Sequence, residues 1–256
     1  MIKTNIAEGT AVLTLDRPEA ANALSRQLLA EAGTVLQNWR ENSEIKAVVI
    51  TGSGEKVFCA GADLKERAEM KQEEVWEAVQ AIRSFVETVY SMPQPVICSL
   101  NGSAIGGGLE LALACDFRIA QEGAVFALAE TGLGIIPGAG GTQRLPRLIG
   151  EQRAKEMILA GRKYDACEAE KAGLLLKTVP AGQLQKEASS LAEAVASRAP
   201  LANKYAKAAV NKGLQLPLEE ALEAERKEYK KTIATEDRLE GLQAFKEKRK
   251  PVFRGL

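Results

Sequence analysis

Apolar residues recur along this chain at two different periods. Over residues 25–40, Leu28, Leu29, Ala32, Val35, Leu36 and Trp39 fall on one stripe at helical spacing, which predicts an amphipathic helix. Residues 10–16 are short, apolar and β-branched and close on Arg17-Pro18, as a strand entering a turn does. The run Ala47-Val48-Val49-Ile50 within residues 46–51 shows no polar alternation, which predicts a strand buried on both faces. It empties into Gly52-Ser53-Gly54. A helix over 73–91 stops before Pro93 and Pro95, and a second buried strand over 95–100 leads into NGSAIGGGLELALACD at residues 101–116. The helix that begins there is apolar all round, and such a helix belongs in an interior.

Short strands are predicted over 117–120 and 124–129, followed by a glycine-rich loop over 132–141. Two buried strands that each run into a Gly/Ala-rich loop and then a helix predict repeated β-turn-α units, hence an α/β core. From Thr142 onward the pattern is almost wholly helical, with 174–179 as the one strand candidate. Asp165 and Glu168 fit a capping box. Helices are predicted over 184–198, 201–212, 218–232 and 237–250. The organisation is an α/β core over 1–198 and a helical segment over 199–256.

Charge and composition narrow what such a chain can do. Its 256 residues carry 34 Lys+Arg and 34 Asp+Glu, a formal net charge of zero. That balance argues against a dedicated nucleic-acid or membrane-surface binder. Histidine is absent, which removes Ser-His and Cys-His nucleophiles and disfavours a zinc enzyme. Proton transfer near neutral pH then falls to carboxylates, Lys, Tyr or Cys. Cys59, Cys98, Cys115 and Cys167 have no CxxC spacing and read as reduced, buried hydrophobes of a cytoplasmic protein. The start of the chain, MIKTNIAEGT, shows no secretory or transit pattern, and no run is apolar enough to span a membrane.

Three features bear chemistry. Gly106-Gly107-Gly108 precede the apolar helix, whose first amides have no partner within it. Glu110 follows one turn inside, among Leu109, Leu111, Ala112, Leu113 and Ala114, where a carboxylate is costly unless paired, protonated or used. Glu130 stands at the end of the 124–129 strand, and Cys59-Ala60-Gly61-Ala62-Asp63 forms a second Gly/Ala loop. One amide from each loop would grip a carbonyl oxygen that gains negative charge. Two acids nearby would handle a water and a proton. The loop GIIPGAGG lacks the spacing of a phosphate cradle, and GSAIGGGLE is no dinucleotide fingerprint.

Together, FCAGADL (58–64), NGSAIGGGLELALACDFRIA (101–120), AETGLGIIPGAGGTQRLPRLIG (129–150) and DRLEGLQAFKEKR (237–249) resemble the enoyl-CoA hydratase (crotonase) family. The likeness covers nearly the whole chain, and the third and fourth motifs look closest to its methylglutaconyl-CoA hydratase branch. The resemblance implies a crotonase-type α/β spiral of repeated ββα units with a C-terminal helical segment for trimerisation, and trimers or dimers of trimers. It implies an oxyanion hole of the Ala62 and Gly107 amides, and Glu110 and Glu130 as the catalytic pair. Acyl-CoA contacts would fall at Ala20, Ala21, Ala60, Asp63, Leu64 and Lys65, with Phe245 and Lys248 reaching the CoA of a neighbouring subunit.

The implied reaction is reversible syn addition of water across the C2=C3 bond of a 2-enoyl-CoA, with 3-methylglutaconyl-CoA a candidate substrate. No metal or cofactor is expected, coenzyme A being part of the substrate. Isomerisation of an enoyl-CoA or hydrolysis of an acyl-CoA is the alternative within the family. The same branch includes a mitochondrial protein that binds AU-rich RNA through lysines on an early helix. Here Arg26 is followed by Ala30 and Thr34 where that comb continues with lysine, which argues against nucleic acid as a partner.

Overall fold

The computed structural model describes residues 1–256. Strands β1 (Ile2–Ala7) and β2 (Thr10–Leu15) form an antiparallel hairpin, and helix α1 (Arg26–Glu41) follows, its first turn capped by the Ser25 hydroxyl, which accepts from the Leu28 amide at 3.3 Å. Three units of like make-up come next. β3 (Ala47–Gly52) and β4 (Val57–Cys59) lead to α2 (Leu64–Glu69) and α3 (Gln72–Tyr90). β5 (Val96–Leu100) and β6 (Ser103–Ile105) lead to α4 (Gly107–Ala114). β7 (Phe117–Gln121) and β8 (Val125–Ala127) lead to α5 (Gly141–Ile149) and α6 (Glu151–Leu159). The chain finishes with β9 (Tyr164–Asp165), α7 (Ala166–Lys171), β10 (Lys177–Val179), α8 (Leu184–Ala196), α9 (Pro200–Gly213), α10 (Leu218–Thr232) and α11 (Glu236–Glu247).

The first strand of each unit joins one sheet and the second joins another. The larger sheet runs β1-β2-β3-β5-β7-β10 and the smaller β4-β6-β8-β9. β2, β3, β5 and β7 are mutually parallel in sequence order, as are β4, β6 and β8. A parallel bridge from Leu24 to Ala62 adds a vestigial second strand ahead of α1. Successive ββα turns therefore stack as a spiral, correcting the simpler β-turn-α unit predicted from the pattern.

Alternation within the larger sheet sorts its side chains between two layers. Val48 and Ile50 of β3, with Val96, Cys98 and Leu100 of β5, enter the main core beside α1, α3 and α4. Ala47, Val49 and Ile97 face the other way and pack against Ala192 of α8. Burial of β3 on both faces follows from that sandwich, as its unbroken apolar run predicted.

Several boundaries differ from the sequence pattern for identifiable reasons. β1 carries no predictive periodicity because its residues beyond Ile2 are exposed. β4, β6 and β9 are two or three residues long, too short for a period to show. Glu130 does not end a strand: β8 stops at Ala127, and Glu130 opens a 3-10 turn, Glu130–Leu133. The last helix ends at Glu247 rather than 250, because Lys248 adopts a left-handed conformation with φ +54°. Cys167 is exposed, unlike the other three cysteines. No helix is long and apolar enough to cross a membrane.

The C-terminal helices sit against the core through few polar ties. Lys207 Nζ on α9 lies 2.6 Å from Asp116 Oδ2 and donates to the Gln94 carbonyl at 3.1 Å. Leu214, Leu218, Tyr229 and Phe245 of this segment are exposed.

Candidate active site

Helix α4 is buried from Gly108 to Ala114, so its placement is fixed by packing rather than by an amphipathic face. Gly108 is what lets it dock, since a Cβ there would stand 2.1 Å from the Cys59 carbonyl oxygen on β4. Gly106, at φ +53°, turns the chain from β6 into the helix, and its amide donates to the Ala127 carbonyl at 2.9 Å. The start of α4 is thereby pinned between β4 and β8.

That pinning brings the two loops together. The Ala62 nitrogen lies 3.6 Å from where a Gly107 Cβ would stand, and the Gly107 nitrogen 2.9 Å from where a Gly61 Cβ would stand. Neither the Ala62 nor the Gly107 amide donates to a backbone carbonyl. Two unspent donors side by side are what binding of an oxyanion requires.

Glu110 is 3 % exposed. Its Oε1 accepts from the amides of Ala139 and Gly141, each at 2.7 Å. Burial pushes its carboxyl above the usual range, while those amides and the Arg144 charge pull it back. Glu130 lies across the Gly106 turn, with Oε1 3.0 Å from where a Gly106 Cβ would stand. Its Oε2 is buried and has no hydrogen-bond partner. Burial pushes Glu130 up to about 7; its own backbone amide opposes the shift and the Glu110 charge adds to it. Two amides thus oppose the effect of burial at Glu110, whereas the buried Oε2 of Glu130 has no donor to oppose it.

The remaining residues singled out in the sequence divide into two groups. Ala20 ends the 3-10 turn Pro18–Ala20, and Ala21 follows in the left-handed region at φ +52°. The Ala60 amide donates to the Ala21 carbonyl at 3.0 Å, and the Leu24 amide to the Gly61 carbonyl at 2.8 Å. Ala20, Ala21, Ala60 and Ala62 thus share one rim. Asp63 caps α2 by accepting from the Lys65 and Glu66 amides at 3.1 and 3.2 Å, and pairs with Arg17 at 3.1 Å. Its carboxyl sits below the usual range because the Glu66 amide and Arg17 together outweigh the effect of burial. The side chain holds the Ala62 loop in place, with Leu64 and Lys65 exposed on the first turn of α2. Phe245 and Lys248 lie apart, at the end of α11, with Phe245 86 % exposed.

The donors to Glu110 went unrecognised in the sequence. They come from PGAGG at the start of α5, some thirty positions downstream, where loop residues carry no period. The one available signal was a glycine-rich stretch just ahead of a helix, whose free amides suit an anion.

A family model described as Enoyl-CoA hydratase/isomerase matches residues 5–255. The crystal structure of an enoyl-CoA hydratase from Bacillus anthracis superposes with a TM-score of 0.98 at 51% identity, covering 100% of this chain and 99% of that one. A Bacillus subtilis relative, provisionally named an enoyl-CoA hydratase/isomerase, is 53% identical over 97% of this chain and 96% of its own. The mitochondrial methylglutaconyl-CoA hydratase of Mus musculus is 43% identical over 96% of this chain and 80% of its own.

Proposed function

The chain belongs to the enoyl-CoA hydratase/isomerase family, and from that premise we propose that it is a hydro-lyase acting on 2-enoyl-CoA thioesters. The Ala62 and Gly107 amides receive the thioester oxygen. Polarising that carbonyl makes C3 electrophilic and stabilises the enolate, and losing one such donor typically costs about 3 kcal/mol of transition-state stabilisation. Glu110, solvated as an anion by the Ala139 and Gly141 amides, takes a proton from water as oxygen bonds to C3. Glu130 delivers a proton to C2 from the same face, giving syn addition. Each turnover moves the net proton from Glu130 to Glu110, and exchange with solvent or the reverse reaction resets the pair. The reaction calls for no cofactor or metal beyond the CoA carried by the substrate.

The observation that carries this reading is the division between the two acids: Glu110 Oε1 accepts from two backbone amides, while Glu130 has a buried oxygen lacking any partner. An isomerase needs one carboxylate to shuttle a proton between C2 and C4, and has no use for a second placed this way. Hydrolysis of the thioester would require attack at C1 and release of free CoA. Hydration of crotonyl-CoA, followed by loss of thioester conjugation, is expected of the wild type. Near wild-type rates in both Glu110→Gln and Glu130→Gln would sink the mechanism.

Substrate, assembly and location follow from the same reading. The 43% identity to a methylglutaconyl-CoA hydratase supports 3-methylglutaconyl-CoA, an intermediate of leucine degradation, as a substrate. A higher kcat/KM for it than for crotonyl-CoA and longer straight enoyl-CoAs, measured side by side, is the expected result. Exposed Leu214, Leu218, Tyr229 and Phe245 support a trimer or a dimer of trimers built on residues 199–256, in which Phe245 and Lys248 reach a neighbour's CoA. Sedimentation of a monomer would remove that part. Three buried free cysteines fit the reducing cytoplasm.

A further inference from the structure

The loop that solvates Glu110 is itself held from behind. The two donating amides, of Ala139 and Gly141, flank the peptide unit that carries the Ala139 carbonyl. That carbonyl accepts from Nη1 of Arg144 at 2.9 Å. Arg144 belongs to the first turn of α5, and its side chain folds back across Gly140. A Cβ at Gly140 would stand 2.1 Å from Nη1, and φ there is +105°, so only glycine lets the guanidinium lie where it does. On its far side Nη2 lies 2.8 Å from Glu87 Oε2 on α3, and Cζ sits 4.8 Å from the Tyr90 ring centroid. Loop carbonyl, carboxylate and aromatic face fix the guanidinium from three directions, with its side chain only 18% exposed.

We propose that Arg144 is a positioning residue for the glutamate pair: it clamps the Ala139 carbonyl so that the Ala139 and Gly141 amides stay aimed at the Glu110 carboxyl. The inference rests on the hydratase reading and assigns a second job to α5 beyond packing. Arg144 makes no contact with the reacting atoms in this scheme. It acts through two amides and through its charge, which favours the Glu110 anion. The charged groups around Glu110 are few. Arg144 approaches from α5, with Glu87 beyond it on α3, and Glu130 approaches from the 3-10 turn. β4, β6 and the rest of the α3 face packed on α4 contribute buried Cys59, Ala104, Phe85, Val86 and Val89, all neutral near pH 7.

The sign of the effect is fixed by the geometry. Glu110 works as a base, so its protonation sets the acidic limb of the kcat profile. Freeing the loop and removing the cation both favour the protonated form, which moves that limb to higher pH. In Arg144→Met, kcat near neutrality is expected to fall by about 10- to 100-fold, the scale of a small misplacement in an active site, with KM changed less than about twofold. Arg144→Lys recovers part of the rate, since one ammonium reaches the carbonyl but not Glu87 as well. Arg144→Gln, which removes the cation but keeps an amide donor for the Ala139 carbonyl, shifts the limb in the same direction by less.

Glutamate isotope-labelled at the side-chain carboxyl reads the clamp without turnover. The Glu110 signal, identified by its loss in Glu110→Gln, should titrate at higher pH in Arg144→Met than in the wild type. An unmoved acidic limb and an unmoved Glu110 midpoint overturn the proposal. Arg144→Gln supplies the same two readouts should Arg144→Met fail to fold. A raised midpoint in a protein that hydrates neither crotonyl-CoA nor 3-methylglutaconyl-CoA supports the clamp and refutes only the hydratase reading.

Discussion

Glu110 and Glu130 face one another across the glycine turn at the head of α4, yet their surroundings push them unequally. Glu110 is the more deeply buried of the two, and desolvation alone would shift it further. It is Glu130 that is carried up to about 7, because Glu110 has two short amide bonds to Oε1 and Glu130 has a buried Oε2 with nothing to accept from. Burial depth alone therefore does not decide which carboxyl is pushed further; the supply of backbone donors opposes it at Glu110. One acid sits on a helix locked into the core and the other on a 3-10 turn at a loop's edge, and the proposed roles of base and acid rest on that difference.

Removing the proposed base should have the largest effect. Glu110→Gln is expected to lower kcat by roughly 10⁴-fold, the upper end for a group that moves a proton in the transition state. Steady-state hydration of crotonyl-CoA measures it. Glu130→Gln keeps a neutral amide where a protonated carboxyl stood, so its loss should be smaller, on the order of 10³-fold. A larger loss at Glu130 than at Glu110 would reverse the assignment. Ala62→Pro deletes one oxyanion donor and leaves both acids in place. About 10²-fold in kcat is expected from that change, with binding of a non-reacting saturated acyl-CoA retained in a calorimetric titration.

Titration sharpens the contrast further. Because Glu130 must be protonated to deliver its proton, kcat for hydration should decline as pH rises through about 7, and Glu130→Gln should lack that limb. The same shift affects stability. A carboxyl raised in the folded state binds more protons folded than unfolded, so its unfavourable contribution is absent below its unfolded value and grows as pH rises toward its folded one. Allowing for partial solvent access, Glu130→Gln should exceed the wild type in stability by on the order of 2 kcal/mol at pH 8. Denaturant midpoints should converge near pH 4.

Much of this arrangement was legible in the sequence because it rests on strong local signals. The helix over 25–40, the two buried strands and the capping box at Asp165 and Glu168 all show the expected period or spacing, and all are present. Glu110 stood out because no polar neighbour explains it. The short strands β4, β6 and β9 escaped because two or three residues cannot display an alternation, and with them went the second sheet that turns β-turn-α into ββα. Glu130 was placed on a strand because its apolar neighbours run on past the last ladder bond at Ala127. The amides of Ala139 and Gly141 were invisible for a deeper reason: a backbone donor has no residue type, and which carboxylate it meets is decided by tertiary packing.

In the proposed reaction, water adds at C3 while the thioester survives. Incubation of crotonyl-CoA with the protein in oxygen-isotope-labelled water, followed by mass analysis of the products, tests it most directly. 3-Hydroxybutyryl-CoA with a labelled hydroxyl oxygen and CoA still attached is expected from the wild type and nearly abolished in Glu110→Gln. Release of free CoA with label in the acid, or an isomer of unchanged mass, would contradict it.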